Sequence, residues 1–238
     1  MYLRFLFFVA TVLATLAHAN PKQAIDPYDL EDQIREQLEN LRSTVRGAIF
    51  ASFNSIDTIV RDVYYFRNDA MSAAEIAIQQ EYQAFTTQVT TLKDLAQSAG
   101  YNVDICLQIN EPLLDQLPQE IIDTLMECLA FANLEVTIIQ NDSRYRIDIL
   151  MNEVNVFDFQ LDLCAGDFLC MSPLVEAIEL ALVNIPQKIG LIVQEAGDLA
   201  EDLKVLIKEC TDAKVAQFVT EGGIVVSDIS DCIDNIMS

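Results

Sequence analysis

A chain of 238 residues with 37 acidic against 14 basic side chains carries a formal net charge of −23. That surplus repels phosphate, so recognition of nucleic acid or of anionic lipid headgroups is excluded as a main activity. About half the residues (52%) are apolar, enough for a substantial core, while seven glycines, six prolines and no tryptophan suit long helices better than a turn-rich sandwich.

Met1 to Ala19 has one positive charge, Arg4, then an uncharged apolar run from Phe5 to Leu16, then Ala17-His18-Ala19. This is the pattern of a signal peptide with a small-x-small cleavage site, and it predicts a mature chain beginning at Asn20. The run is shorter than the ~18 to 20 apolar residues a membrane span needs. Charges such as Glu176, Glu179 and Lys188 interrupt the longest apolar segment downstream, so no membrane span is expected there. Cleavage removes His18, the single histidine, and with it the usual general base at neutral pH and the commonest metal ligand.

After a short lead, Asp26-Pro27 reads as an N-cap followed by proline at the first helical position, where its missing N–H costs nothing. Ile34, Leu38, Leu41, Val45, Ile49, Ile56, Ile59, Val63 and Phe66 then recur at steps of three, four or seven, one apolar stripe on a helix. The pattern lapses near Asn68-Asp69, and Ser72-Ala73-Ala74-Glu75 reads as a capping box opening a second helix that Gly100 ends. Asn110-Glu111-Pro112 and Pro118 predict breaks before a third helix over about 119–140. Asn141-Asp142-Ser143 follows as a surface turn and glycosylation sequon, with Asn141 the acceptor.

From Arg144 to Leu163 the alternation of Phe157, Phe159, Leu161 and Leu163 with Asp158, Gln160 and Asp162 suits a strand, but Ile147, Leu150, Met151, Val154, Phe157 and Leu161 suit a helix. Helix is expected, because a lone strand would have no partner. Ser172-Pro173 is expected to cap a fifth helix, Ile185-Pro186 to kink or split it, and Gly222-Gly223 to force a turn before a last short helix. The prediction is an all-α, disulfide-stapled bundle of about six to seven helices. Its signal peptide is 1–19, its N-terminal helical region 20–100 and its cysteine-bearing helical region 101–238, the two regions packed as one domain.

Six cysteines stand at 106, 128, 164, 170, 210 and 232, nearly mirror-symmetric about the stretch from Cys164 to Cys170. In a secreted chain such a set forms disulfides. Cysteines 22 residues apart on one straight helix lie ~33 Å apart, against the ~7 Å limit between Cα atoms of a disulfide, so local pairs need a hairpin. The expected reversals at Pro112 to Pro118 and at Gly222-Gly223 favour Cys106 with Cys128 and Cys210 with Cys232, leaving Cys164 with Cys170. The competing scheme is nested, Cys128 with Cys210 and Cys106 with Cys232, since both pairs are centred on position 169.

No catalytic constellation stands out. Without histidine a Ser-His-Asp or Cys-His site is impossible, and the cysteine gaps lack the paired spacing of a zinc site. Neither a phosphate loop nor a calcium loop is present, and no cofactor or metal site is expected. Carboxylate pairs one helical turn apart, Asp158 with Asp162 and Glu195 with Asp198, could serve an acidic hydrolase, but 37 acids produce such pairs on any helix. The segments 144–163 and 173–193 are apolar around more than one face, so they are expected either fully buried or lining a pocket for a fatty or aromatic ligand.

A signal peptide, a long acidic helical region and a helical C-terminal half bearing Cys106, Cys128, Cys164, Cys170, Cys210 and Cys232 together resemble the insect secreted proteins of the Tsetse EP domain family. The resemblance is one of architecture along about 100 to 220 residues, and the glutamate-proline repeats of the family's founding protein are not present. It implies an extracellular, helical, non-enzymatic protein associated with gut or body-fluid defence. Insect odorant-binding proteins also combine six cysteines with helices, but they are much shorter and have a three-residue gap between two central cysteines. The sequence therefore points to a secreted protein that binds a protein or surface partner, with a carrier of small apolar ligands as the alternative.

Overall fold

The computed structural model describes residues 27–238, so the signal peptide, its cleavage site and the Asp26 cap lie outside the described residues. Those residues form three helices: α1 (Pro27–Ser98), α2 (Asp104–Cys164) and α3 (Phe168–Met237). At ~1.5 Å per residue each is roughly 90–110 Å long. The all-α class agrees with expectation; the number of helices does not, because most of the expected breaks are helical. Asn68-Asp69 and Ser72 lie inside α1, Pro112, Pro118 and the Asn141-Asp142-Ser143 sequon inside α2, and Pro173, Pro186 and Gly222-Gly223 inside α3. The segment 144–163 is helix, as chosen over strand.

An eleven-residue repeat explains why the helices run on. Leu30, Leu41, Ser52, Val63, Ala74, Phe85 and Ala96 of α1 are buried and stand eleven residues apart. The same interval joins Leu174, Ile185, Ala196, Ile207, Phe218 and Ile229 of α3, and Ile121, Ala132, Ser143 and Val154 of α2, all buried. Eleven residues make three turns at ~3.67 per turn, close to the natural period, so a stripe of this kind stays on one face along a nearly straight helix. A broken helix would put the stripe out of phase on one side of the break. Proline costs ~3 kcal/mol in a helix interior, an amount comparable to the ~1.5–3 kcal/mol from burying one large apolar side chain. Ile178, Ala181, Ile185 and Ile189 are buried on both sides of Pro186, and Leu114, Leu117 and Ile121 around Pro118.

Two short turns reverse the chain. Gly100 adopts φ 88° while its N–H donates to the Gln97 carbonyl and the N–H of Tyr101 to that of Ala96, a Schellman closure that needs glycine at the left-handed position. At the second turn Gly166 has φ 78°, and the Asp167 carboxylate accepts from the N–H groups of Leu169 and Cys170, capping α3. The cap is thus Asp167, not Ser172. Successive helices are antiparallel, and ion pairs hold the register: Arg42 with Asp158 at 2.5 Å and Arg144 with Asp57 at 2.5 Å join α1 to α2, and Lys204 with Asp62 at 2.5 Å joins α1 to α3.

Disulfides follow the nested scheme, Cys106–Cys232 and Cys128–Cys210, with Cys164–Cys170 across the turn. The favoured local pairs are overturned for the reason that made them conditional. Residues 112–118 and 222–223 are helical, so Cys106 and Cys128 stand far apart along α2, and so do Cys210 and Cys232 along α3. Only cysteines on facing helices come within reach.

The core has two blocks. One runs from Leu30 to Ala74 of α1 against Leu125–Cys164 of α2 and Met171–Ile207 of α3. The other gathers Ile78, Phe85, Leu114, Ile121, Phe218 and Ile229 towards the far end, where Phe85 and Phe218 meet as a tilted pair with ring centroids 6.0 Å apart.

Candidate functional site: an apolar groove between α2 and α3

Three of the four carboxylates singled out in the sequence are paired with arginines. Asp158 accepts from Arg42 and Asp162 lies 3.9 Å from Arg35, both across the α1–α2 interface. Glu195 accepts from Arg146 at 2.7 Å, which holds its carboxyl below the usual range and raises the guanidinium. Asp198 is exposed on α3. Every cysteine is in a disulfide, and among the described residues no group of three or more His, Cys, Asp or Glu side chains is placed to hold a metal ion. Asn141 is exposed halfway along α2 with Ser143 turned into the core, so the sequon lies on a helix instead of the expected turn.

Among the described residues, apolar grooves open on the surface, of which three stand out. One of about 600 Å³ lies between α1 and α3, lined by Phe66, Ala70, Ala73, Ala77 and Val215. The other two lie between α2 and α3, about 310 Å³ around Phe131, Ile138, Leu199 and Leu206, and about 590 Å³ around Val156, Phe157, Leu180 and Leu191.

The eleven-residue repeat shows that the last two are parts of one surface. Ala177, Lys188 and Leu199 form one row of α3, Leu180, Leu191 and Asp202 a second, and Asn184, Glu195 and Leu206 a third, each residue eleven after the last. On α2, Phe131, Asp142 and Glu153 form one row and Glu135, Arg146 and Phe157 another. Two ion pairs cross the groove where its halves meet, Arg146 with Glu195 at 2.7 Å and Lys188 with Glu153 at 2.8 Å. No family model, curated protein or solved structure matches the chain.

Sequence reasoning anticipated one half of this groove, since 144–163 and 173–193, expected to be buried or to line a pocket, line it through Val156, Phe157, Leu180 and Leu191, but missed the half around Phe131, Ile138, Leu199 and Leu206. The apolar residues that encircle 144–163 and 173–193 are neither all buried nor wrapped around an internal cavity. Phe159 (64% exposed) and Leu191 (64%) face outward instead. Part of the signal was a second apolar stripe on α2, Leu134, Ile138, Tyr145, Ile149 and Val156, at steps of four and seven, of which Ile138 and Val156 line the groove while the others lie exposed beside it. A window within α3 has mean hydropathy 1.7, so this helix is long and apolar enough to cross a membrane by length and composition. Only 28% of that window is buried, so much of its apolar surface is exposed beside the core stripe.

Proposed function

We propose that the chain is an exported, disulfide-braced helical protein that acts without catalysis by binding a protein or surface partner in a gut or body fluid. The observation that carries this reading is the exposed apolar groove along α2 and α3, in a chain whose cysteines are all oxidised. Disulfides persist in oxidising compartments, in agreement with a signal peptide over Met1 to Ala19. Long apolar strips open to solvent mark surfaces that another molecule covers. The resemblance to the Tsetse EP domain family supports the same assignment, and exposed Asn141 can carry a glycan without disturbing the core.

A carrier of small apolar ligands is the second reading, and the groove between α1 and α3 is where it would act. Carriers enclose 70–90% of a small ligand's surface, whereas this groove is open along its length. Native mass spectrometry after incubation with fatty acids distinguishes the two, a retained lipid favouring the carrier.

Expression of the full chain in cultured secretory cells tests the main reading. The expected product is in the medium, begins at Asn20, has no titratable thiol and loses mass on enzymatic deglycosylation unless Asn141 is replaced by Gln. Retention in the cell, or free thiols in intact medium protein, refutes it.

A further inference from the structure

The α2–α3 groove joins apolar anchors to a surplus of negative charge. Five carboxylates line it, those of Glu135, Asp142, Glu153, Glu195 and Asp202, against Arg146 and Lys188, and both cations are already paired across the groove. The two helices that build it are the most acidic of the three. Twelve acids face two bases on α2 and twelve face four on α3, whereas α1 has eleven against six. Between Ala177 and Leu206 the groove extends for roughly 44 Å at ~1.5 Å per residue, the length of a helix of up to about 30 residues.

We propose that this groove is the docking site for a cationic amphipathic helix of another protein, apolar along one stripe and flanked by lysine or arginine. The proposal rests on the reading of the chain as an exported binding protein and names the chemistry of its partner. An amphipathic helix docks by setting anchors spaced three, four and seven residues apart into a hydrophobic groove. Phe131, Ile138, Leu199 and Leu206 in one half, and Val156 and Leu191 in the other, are spaced to receive them. Flanking cations would meet Glu135 and Asp202, and also Asp142, which lies 3.5 Å from the already paired Arg146; this supplies steering and orientation. A second copy of this chain would bring its own surplus of acids to the same place, and anionic lipid would meet like charge.

The test uses the mature protein with its disulfides intact and two labelled peptides of about 22 residues, a ~33 Å helix. They share a leucine stripe and differ in carrying lysine or glutamate elsewhere. Fluorescence anisotropy should show saturable binding of the lysine peptide and none of its glutamate twin. Raising NaCl from about 50 to about 500 mM should weaken binding about tenfold. Ile138→Gln/Leu199→Gln, at side chains about half exposed, should weaken it about tenfold or more with circular dichroism and Tm unchanged. Glu135→Gln/Asp202→Asn should flatten the salt dependence.

Equal binding of the two peptides overturns the proposal. So does full affinity in the Ile138/Leu199 variant, which would mark generic charge attraction. Failure of the lysine peptide to bind overturns it as well, whether the chain instead dimerises in sedimentation or binds phosphatidylcholine vesicles. Both of those outcomes leave the broader binding reading standing, since that one fails through retention or free thiols in the export experiment.

Discussion

Adjacent glycines in α3 should respond to alanine with opposite signs. Gly222 is buried against α1, and a Cβ there would overlap Cε2 of Phe85 and lie 2.7 Å from its Cδ2. The ring cannot swing freely, because Phe85 is itself only 8% exposed and packs against the tilted ring of Phe218. Overpacking of this kind costs ~1–3 kcal/mol, against ~1 kcal/mol gained when alanine replaces glycine in a helix interior. Gly222→Ala is therefore expected to destabilise by up to ~2 kcal/mol. Nothing lies within 4 Å of a Cβ at Gly223, so Gly223→Ala keeps only the propensity gain, about 0.5–1 kcal/mol. At ~2–4 °C per kcal/mol for a chain of this size, thermal unfolding should place the two variants on either side of the wild type. In a Phe85→Leu background the cost of Gly222→Ala should vanish, a coupling readable from the double-mutant cycle. If both alanines lower Tm by similar amounts, Gly222-Gly223 is a turn with left-handed backbone and the continuous third helix is wrong.

Three further outcomes follow from the same geometry. With Cys128–Cys210 intact, Cys106–Cys232 closes 22 residues of α2 against 22 of α3; by loop entropy its removal in Cys106→Ala/Cys232→Ala should cost about 4 kcal/mol, against about 2 for Cys164→Ala/Cys170→Ala, and denaturant titration showing the reverse order would refute the nested staple. Because α2 carries twelve acids to two bases, screening should relieve self-repulsion, and Tm should rise between about 10 and about 150 mM salt as the Debye length falls from ~30 to ~8 Å; a falling Tm would show that the interhelical ion pairs dominate instead. Tyr82 of α1 donates to Asp115 of α2 at 2.7 Å, and this bond, with burial and the nearby carboxylate, raises the phenol above its ordinary range. The protonated form is thus favoured by folding, so this bond's contribution to stability should be fully present below about pH 10 and be lost as pH rises beyond it. Tyr82→Phe should remove that alkaline slope at a cost of about 1 kcal/mol or less, measured by urea unfolding across pH.

How far the fold could be read from the chain depends on which signal is local and which is periodic. Helices were legible wherever an apolar stripe was regular, as from Ile34 to Val63, and for 144–163, where the helical period outweighed the strand-like alternation. The breaks were misread because proline and glycine are judged residue by residue, while the cost they impose is met over many turns. Leu30, Leu41, Ser52, Val63, Ala74, Phe85 and Ala96 keep one phase straight past Asn68-Asp69 and Ser72, so no reversal can occur there without turning the rest of the stripe outward. Exposed Pro112 and Pro173 each remove one N–H donor, and the carbonyls they strand belong to exposed Gln108 and Leu169, where water can take the bond. Once the helices are continuous the disulfides cease to be a free choice. Position 169 is the midpoint of both nested pairs and sits at the α2–α3 turn, so antiparallel packing alone brings Cys106 to Cys232 and Cys128 to Cys210. The groove was harder to find, because an apolar residue carries no mark of which neighbour will cover it. Two apolar stripes on α2 are one more than α1 and α3 can bury, and the second is left to solvent with acids beside it. A chain that keeps such a strip exposed while bracing its helices with three disulfides fixes the position of both walls of the groove, so a partner that docks there meets a surface already in place and little ordering cost is incurred on binding.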